Sequence, residues 1–547
     1  MIIWHGMSSC SVLKRYCGSV LYSRMEVTMA KTFQFDYNVA VAETTKGKVR
    51  GYYYNDMYIF KGIPYAKAKR FHAPEPVEAW EGVMDTNSFG YVCPLLEMPK
   101  PNGEVAVPHR YWIMNEDCQN LNIWTPALDG SKRPVMVWLH GGGYEAGSAI
   151  EHIAYEGENM CKYGDVVVVS INHRLNVLGY CDLSVFGEEY ANSGNAGTDD
   201  IIAALIWIRD NIVNFGGDPD NVTLFGQSGG GAKITTLLQT PAADGLFAKG
   251  INMSGVVGPI LPDAKGSGEE LVRAIMAELK IETVKELEEI SYDALVKAYL
   301  EVRPELEKAG KYVGGRPYQN AHYLGEPVAN GFRKETAHIP LMVGTVFGEF
   351  TSFSPATYDK RNMSVQDGRE KVAEVLGKEA AAELLPLFEA AYPERNPVDL
   401  LTLDMMFRAP AMEYIKCRSD LNDCTYSYFF NQDMPLEGGR TPWHCADIPF
   451  VFHNTELVPY TQMDGLTETL ESQIFECVMA FARTGNPNHD GIPAWPASTP
   501  EEEQVLIFDS NTRLVCNHDK ELMPALVKYV GSIFMKEFME NAEDIQH

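Results

Sequence analysis

Ser228 stands in the middle of Gly226-Gln227-Ser228-Gly229-Gly230, directly after the apolar run Val222-Thr223-Leu224-Phe225 and directly before Ala232-Lys233-Ile234-Thr235-Thr236-Leu237-Leu238. A serine raised on a sharp strand-to-helix turn needs small flanking residues, because larger side chains two places away would collide with the neighbouring strand or helix. The spacing therefore marks a candidate nucleophile elbow. Three glycines, 229 to 231, fall in the first helical turn, where each costs about 0.5–1 kcal/mol relative to alanine in a helix interior. What they supply is backbone access: free N–H groups and the partial positive charge of a helix N-terminus, suited to a developing oxyanion.

Acyl transfer at such a serine needs further donors, a base and an orienting acid. The run Pro134-Val135-Met136-Val137-Trp138-Leu139 reads as a strand buried on both faces and leads into His140-Gly141-Gly142-Gly143-Tyr144, where glycine amides are able to approach a ligand. Gly142, Gly143 and Gly229 are the candidate oxyanion donors. Of the thirteen histidines, His444 follows the turn-rich 438–443 and precedes an apolar segment, which would shield a general base from water. His322, His338 and His453 are rivals that spacing leaves open. For the acid, Glu349 lies just beyond the buried-strand pattern 340–345, where a site outside the carboxyl ends of a sheet would sit; a solvated loop glutamate is the alternative.

The elements that must hold these groups are legible as well. Buried strands over 135–139, 166–171 and 222–225, interleaved with helical patterns over 199–213 and 232–239, predict an α/β sheet with helices on both faces. Hydrophobic content of 45% and charged content of 22% fit a globular chain. A formal net charge of −28 argues against nucleic acid, whose phosphates call for clustered Lys and Arg. No apolar run is long enough for a transmembrane helix, and no Cys/His cluster has metal-ligand spacing. Neither a metal nor a cofactor is expected.

Taken in order, these motifs resemble the type-B carboxylesterases, a family that also holds the cholinesterases and the catalytically silent neuroligins. The stretch from Phe215-Gly216-Gly217 to Gly226-Gln227-Ser228-Gly229-Gly230 is similar to the family's serine signature. Glu116-Asp117-Cys118 with Leu121-Asn122-Ile123-Trp124-Thr125-Pro126 is similar to its second signature. Further matches are Gly62-Ile63-Pro64-Tyr65-Ala66, Asn172-His173-Arg174-Leu175, Gly194-Asn195-Ala196-Gly197 with Asp199, and Phe481-Ala482-Arg483-Thr484-Gly485-Asn486-Pro487. The resemblance implies an α/β-hydrolase fold with a large, mostly parallel central sheet and helical cap insertions. It also implies a Ser228–His444–Glu349 triad, an oxyanion hole of Gly142, Gly143 and Gly229, and a Ser254 that touches the triad from behind. Gln227 stands beside the nucleophile where the family usually has Glu.

Other departures are Gly229 in place of Ala, Cys445 in place of the Gly after the histidine, and Gln119 and Asn120 in the second signature. Trp112 does not sit where cholinesterases place their cation-binding tryptophan. The expectation is thus a serine carboxylic-ester hydrolase for small to medium uncharged acyl or aryl esters, with water as co-substrate and a homo-oligomer admitted. A neuroligin-like adhesion protein, and an amidase or lipase on the same scaffold, are the alternatives. Residues 32–547 are expected to form one catalytic domain with cap insertions around 260–335 and 355–435. Residues 1–31 read as a disordered leader, either a targeting segment or a mis-set start ahead of Met25 or Met29. Eleven scattered cysteines suggest no disulfide scaffold. Cys93 and Cys118 match positions that are bridged in secreted relatives, and in the cytoplasmic location expected here they would stay thiols.

Overall fold

From Val135 to Leu139 every residue is buried, yet alternate side chains enter different cores. Val135, Val137 and Leu139 pack with Ile201, Leu205, Ile234 and Leu237, while Met136 and Trp138 pack with Phe225, Phe452, Leu470 and Phe475. That two-sided burial follows from the period of two along a strand, and it requires a layer of helices on each face. In a computed structural model, the described residues are 33–34, 38–97, 109–256, 266–349, 359–436 and 438–531.

The main sheet contains twelve strands among these residues. They are β1 (Phe33–Gln34), β2 (Tyr52–Tyr54), β3 (Met57–Pro64), β4 (Asn120–Thr125), β5 (Arg133–Leu139), β6 (Val167–Ile171), β7 (Gly217–Gln227), β8 (Lys249–Met253), β9 (Leu341–Val346), β10 (Thr425–Phe430), β11 (Gln504–Phe508) and β12 (Arg513–Cys516). Their spatial order is β1-β2-β3-β4-β6-β5-β7-β8-β9-β10-β11-β12. The centre, β6 through β11, is parallel, with Val135 paired to Val167 on one side and Val222 on the other; the edges are antiparallel. This is the α/β-hydrolase fold, and it brings the carboxyl ends of β5, β7 and β9 to one rim.

Helix α1 (Ala196–Asn211) and helix α2 (Gly229–Leu238) cover one face, and Thr467–Thr484 covers the other. Helices α3 (Glu269–Leu279) and α4 (Tyr292–Lys308) enclose a separate apolar cluster with Leu175, Leu178 and Tyr190. Helices α5 (Val365–Leu376) and α6 (Lys378–Ala391) build another with Phe347 and Phe429. The expected second insertion, 355–435, is drawn too far. It takes in β10, a member of the main sheet, and α7 (Arg408–Ser419), whose Ala411, Tyr414 and Ile415 share a core with Leu341 and Val343 of β9. The leader expected over 1–31 lies outside the described residues.

Candidate active site

Strand β7 ends at Gln227 and α2 begins at Gly229, so a single residue makes the turn. Ser228 adopts φ 57° and ψ −126°, a left-sided conformation that L-residues avoid and that costs on the order of 1–3 kcal/mol. Its N–H donates to the Met253 carbonyl at 2.8 Å, and its carbonyl accepts from Ala232 at 3.0 Å. These bonds hold the strained residue half-buried at the rim.

Beyond β5, Gly142 and Gly143 take φ +83° and +61°, turns that only glycine makes without strain. The Gly142 carbonyl accepts from Ala146 at 2.9 Å. A Cβ added to Gly229 would lie 2.1 Å from the Gly143 oxygen and 2.5 Å from its nitrogen, and one added to Gly141 would touch the Ser228 Cβ at 3.4 Å. The glycine loop and the elbow are therefore in contact, and an alanine at 229 would have to push the loop aside in this chain. Among the described residues, the N–H groups of Gly142, Gly143 and Gly229 donate to no acceptor. Behind the loop, the buried Lys233 of α2 donates from Nζ to the His140 carbonyl at 2.9 Å. Burial pushes its ammonium down to about 7.

Beyond β9, Glu349 is fully buried. One carboxylate oxygen accepts the Val346 N–H at 2.9 Å, and the other lies 2.6 Å from His444 Nδ1. The His444 N–H also donates to the Glu349 carbonyl at 2.7 Å. A carboxylate neighbour fixes the proton of a neutral imidazole on Nδ1 and leaves Nε2 as the acceptor. Facing that nitrogen at 3.1 Å is Nε2 of Gln227, the residue adjoining Ser228. The Cys445 thiol donates to Oε1 of the same glutamine at 3.1 Å. Phe407 stacks on the imidazole with centroids 5.0 Å apart.

Two further carboxyls surround the pair. Asp404 accepts the N–H groups of Met406, Phe407 and Arg408 at 2.9–3.0 Å. Burial, then the charge of Glu349, pushes it up to about 7. Asp447 is pushed up to about 6 by burial, although the Tyr428 hydroxyl donates to it at 2.8 Å. Asp404, Phe407 and Lys233 belong to no short motif; polarity at a position where the surrounding pattern is apolar marks Asp404 and Lys233, and no local signal marks Phe407.

The rival histidines lie elsewhere. His322 and His338 are exposed, and His453 stacks on Tyr163 while facing Glu471. The expected contact of Ser254 with the triad is not made by hydrogen bonding, since its buried hydroxyl has no partner among the described residues. Its N–H instead joins β8 to β9 through the Gly344 carbonyl at 2.8 Å. Gln119 donates to Asp200, and Asn120 to the carbonyls of Tyr91 and Cys118. The second signature therefore supports the buried Arg174–Asp200 ion pair, 2.7 Å, rather than the chemistry. Cys93 and Cys118 are buried, unbridged thiols that lie against one another. Trp112 is exposed and packs edge-on against Phe89.

Among the described residues, no group of three or more His, Cys, Asp or Glu side chains could hold a metal ion, and no helix is long and apolar enough to cross a membrane. The model of the carboxylesterase family matches residues 38–525. Para-nitrobenzyl esterase of Bacillus subtilis (strain 168) is 32% identical over 490 residues, spanning 88% of this chain and 97% of that relative. Human (Homo sapiens) cocaine esterase is 31% identical over 479 residues, 82% of this chain and 83% of the relative. A solved esterase from the anaerobe Clostridium hathewayi, which hydrolyses aliphatic aromatic polyesters, is 49% identical with a TM-score of 0.89, covering 91% of this chain and 100% of that one. With its sheet, its elbow and its matched length all in agreement, the chain belongs to the carboxylesterase family and is a carboxylic-ester hydrolase.

Proposed function

We propose that this hydrolase works through an acyl-enzyme on Ser228, with His444 as base and acid, Glu349 as the orienting carboxylate, and the amides of Gly142, Gly143 and Gly229 as the oxyanion hole. The observation that carries this reading is the 2.6 Å Glu349–His444 pair lying against Gln227, the neighbour of Ser228. In the first step the Ser228 proton passes to His444 Nε2 as Oγ bonds the ester carbonyl carbon, whose oxygen takes up the electron pair. Collapse breaks the bond to the alcohol oxygen, which receives the proton from His444. Water then repeats the sequence on the acyl-enzyme and releases the acid.

The substrates we assign are small to medium uncharged acyl or aryl esters. A net charge of −28 repels anionic substrates. Gln227 removes the carboxylate that would attract cations, an effect of about 1–4 kcal/mol at short range. The likeness to enzymes for para-nitrobenzyl esters and for aliphatic aromatic polyesters extends the range to aryl groups. Residues 32–547 act as one catalytic unit in this reading, with the helices around α3, α4, α5 and α6 shaping the acyl and alcohol pockets. A cytoplasmic location agrees with Cys93 and Cys118 as thiols.

The test is Ser228→Ala assayed with p-nitrophenyl butyrate. Turnover should vanish while the melting temperature holds, and retention of most activity would refute the assignment. A panel of acyl-chain esters, anilides and triglycerides ranks esterase against amidase and lipase action.

A further inference from the structure

Two departures from the family pattern, far apart in the chain, meet in space. Cys445, next to His444, is buried and held at φ +75°. Its thiol donates to Gln227 Oε1 at 3.1 Å. That bond decides which end of the amide faces the histidine, so the Gln227 NH2 group points at His444 Nε2, 3.1 Å away. The other ring nitrogen is committed to Glu349. A neutral imidazole offers one donor and one acceptor, whereas the imidazolium offers two donors. An N–H aimed at Nε2 therefore bonds the neutral ring and opposes the charged one.

We propose that Gln227 and Cys445 form a positioning pair that holds His444 as the neutral imidazole in the resting enzyme, the Gln227 N–H yielding the single Nε2 lone pair when the serine proton is transferred, and so extends the working range of the enzyme toward acid. The proposal rests on the triad reading above. The groups facing the ring pull in opposite directions. Glu349 is in direct contact, with Asp404 behind it, and Asp447, backed by Tyr428, lies three residues along the chain. Whichever of these carboxyls is ionised favours the imidazolium, which cannot act as a base. Gln227 supplies the counterweight without adding charge, and Phe407 on the ring face excludes water from the same side. When the ring takes the serine proton the Gln227–Nε2 hydrogen bond breaks, and its return once the proton has passed to the leaving alcohol favours that onward transfer. The thiol acts only through the amide, by anchoring Oε1.

The experiment is the pH profile of kcat/KM for p-nitrophenyl butyrate, read at the isosbestic wavelength from about pH 5 to 9, whose acidic limb reports the free enzyme's base. Gln227→Glu should move that limb up by about one pH unit or more, because a carboxylate would replace the amide donor. Gln227→Met and Cys445→Gly should move it the same way by less, and Cys445→Ser, whose hydroxyl still donates to Oε1, should leave it in place. Gln227→Met combined with Cys445→Gly should match Gln227→Met alone. An unmoved limb in Gln227→Glu, with rates merely lower at every pH, overturns the proposal, as do additive shifts from the two sites. Glycine suits the backbone at 445, and any variant that fails to melt cooperatively is replaced by its partner in the series. Failure of the triad reading is separate, since it would show as turnover surviving in His444→Ala.

Discussion

A Cβ on Gly229 would sit 2.1 Å from the carbonyl oxygen of Gly143. The amide at the start of α2 and the glycine loop after β5 are therefore locked together, and neither can be enlarged without moving the other. Gly229→Ala is expected to displace the glycine loop, lowering kcat about 10²-fold, the scale of losing one oxyanion donor, and lowering the melting temperature as well, with KM little changed. Steady-state kinetics on an activated ester check this, and wild-type kcat would show that the loop yields freely.

Glu349 is the sole carboxylate hydrogen-bonded to the His444 ring among the described residues. Glu349→Gln keeps the shape but turns a donor toward Nδ1, which favours the wrong tautomer. The expected loss in kcat is about 10⁴-fold, as for the equivalent change in a serine protease triad. Burst kinetics should show acylation itself slowed, and a normal burst would place the defect elsewhere.

Asp404 carries a stability signature. Its carboxyl is raised to about 7 in the folded chain from a reference of 3.8, so the folded state binds more protons than the unfolded one between those values. Stability contributed by the neutral acid is full below pH 4 and is lost as pH rises toward 7. Asp404→Asn gives up acceptor capacity for three backbone amides at every pH. Its deficit in melting temperature should therefore shrink from pH 5 to pH 8. A constant or growing deficit contradicts the assignment.

Lys233 has the mirror-image dependence. Its folded value near 7 lies below the reference of 10.5, so the cost of burying the cation is full below pH 7 and fades as pH rises to about 10. Lys233→Met should gain stability relative to wild type most clearly at pH 6. The same change frees the His140 carbonyl and loosens the glycine loop, so kcat should fall about tenfold or more, as expected for losing a charge-assisted hydrogen bond. Unchanged kcat would mean that the loop keeps its shape without the lysine.

Much of the fold was legible because local pattern and global position coincide. The strand expected over 135–139 runs Arg133–Leu139, and the helix expected over 199–213 starts three residues earlier, at Ala196. Buried parallel strands have no polar face to confuse the reading. The boundary of the second insertion failed because no local mark in the sequence separates α7 and β10 from the helices before them, and only packing against β9 shows that they belong with the main sheet. Ser254 was placed by resemblance alone, and its hydroxyl meets no partner among the described residues.

By itself the sequence determined the elbow, the glycine loop and the buried strands, since each follows from the size, backbone freedom and periodicity of neighbouring residues. Tertiary structure decided which of thirteen histidines faces both a buried carboxylate and the neighbour of Ser228, that Asp404 shares its burial with Glu349, and that Gln227 and Cys445 answer one another across 218 positions. Such contacts depend on how far the sheet carries each loop, a distance that no local pattern encodes.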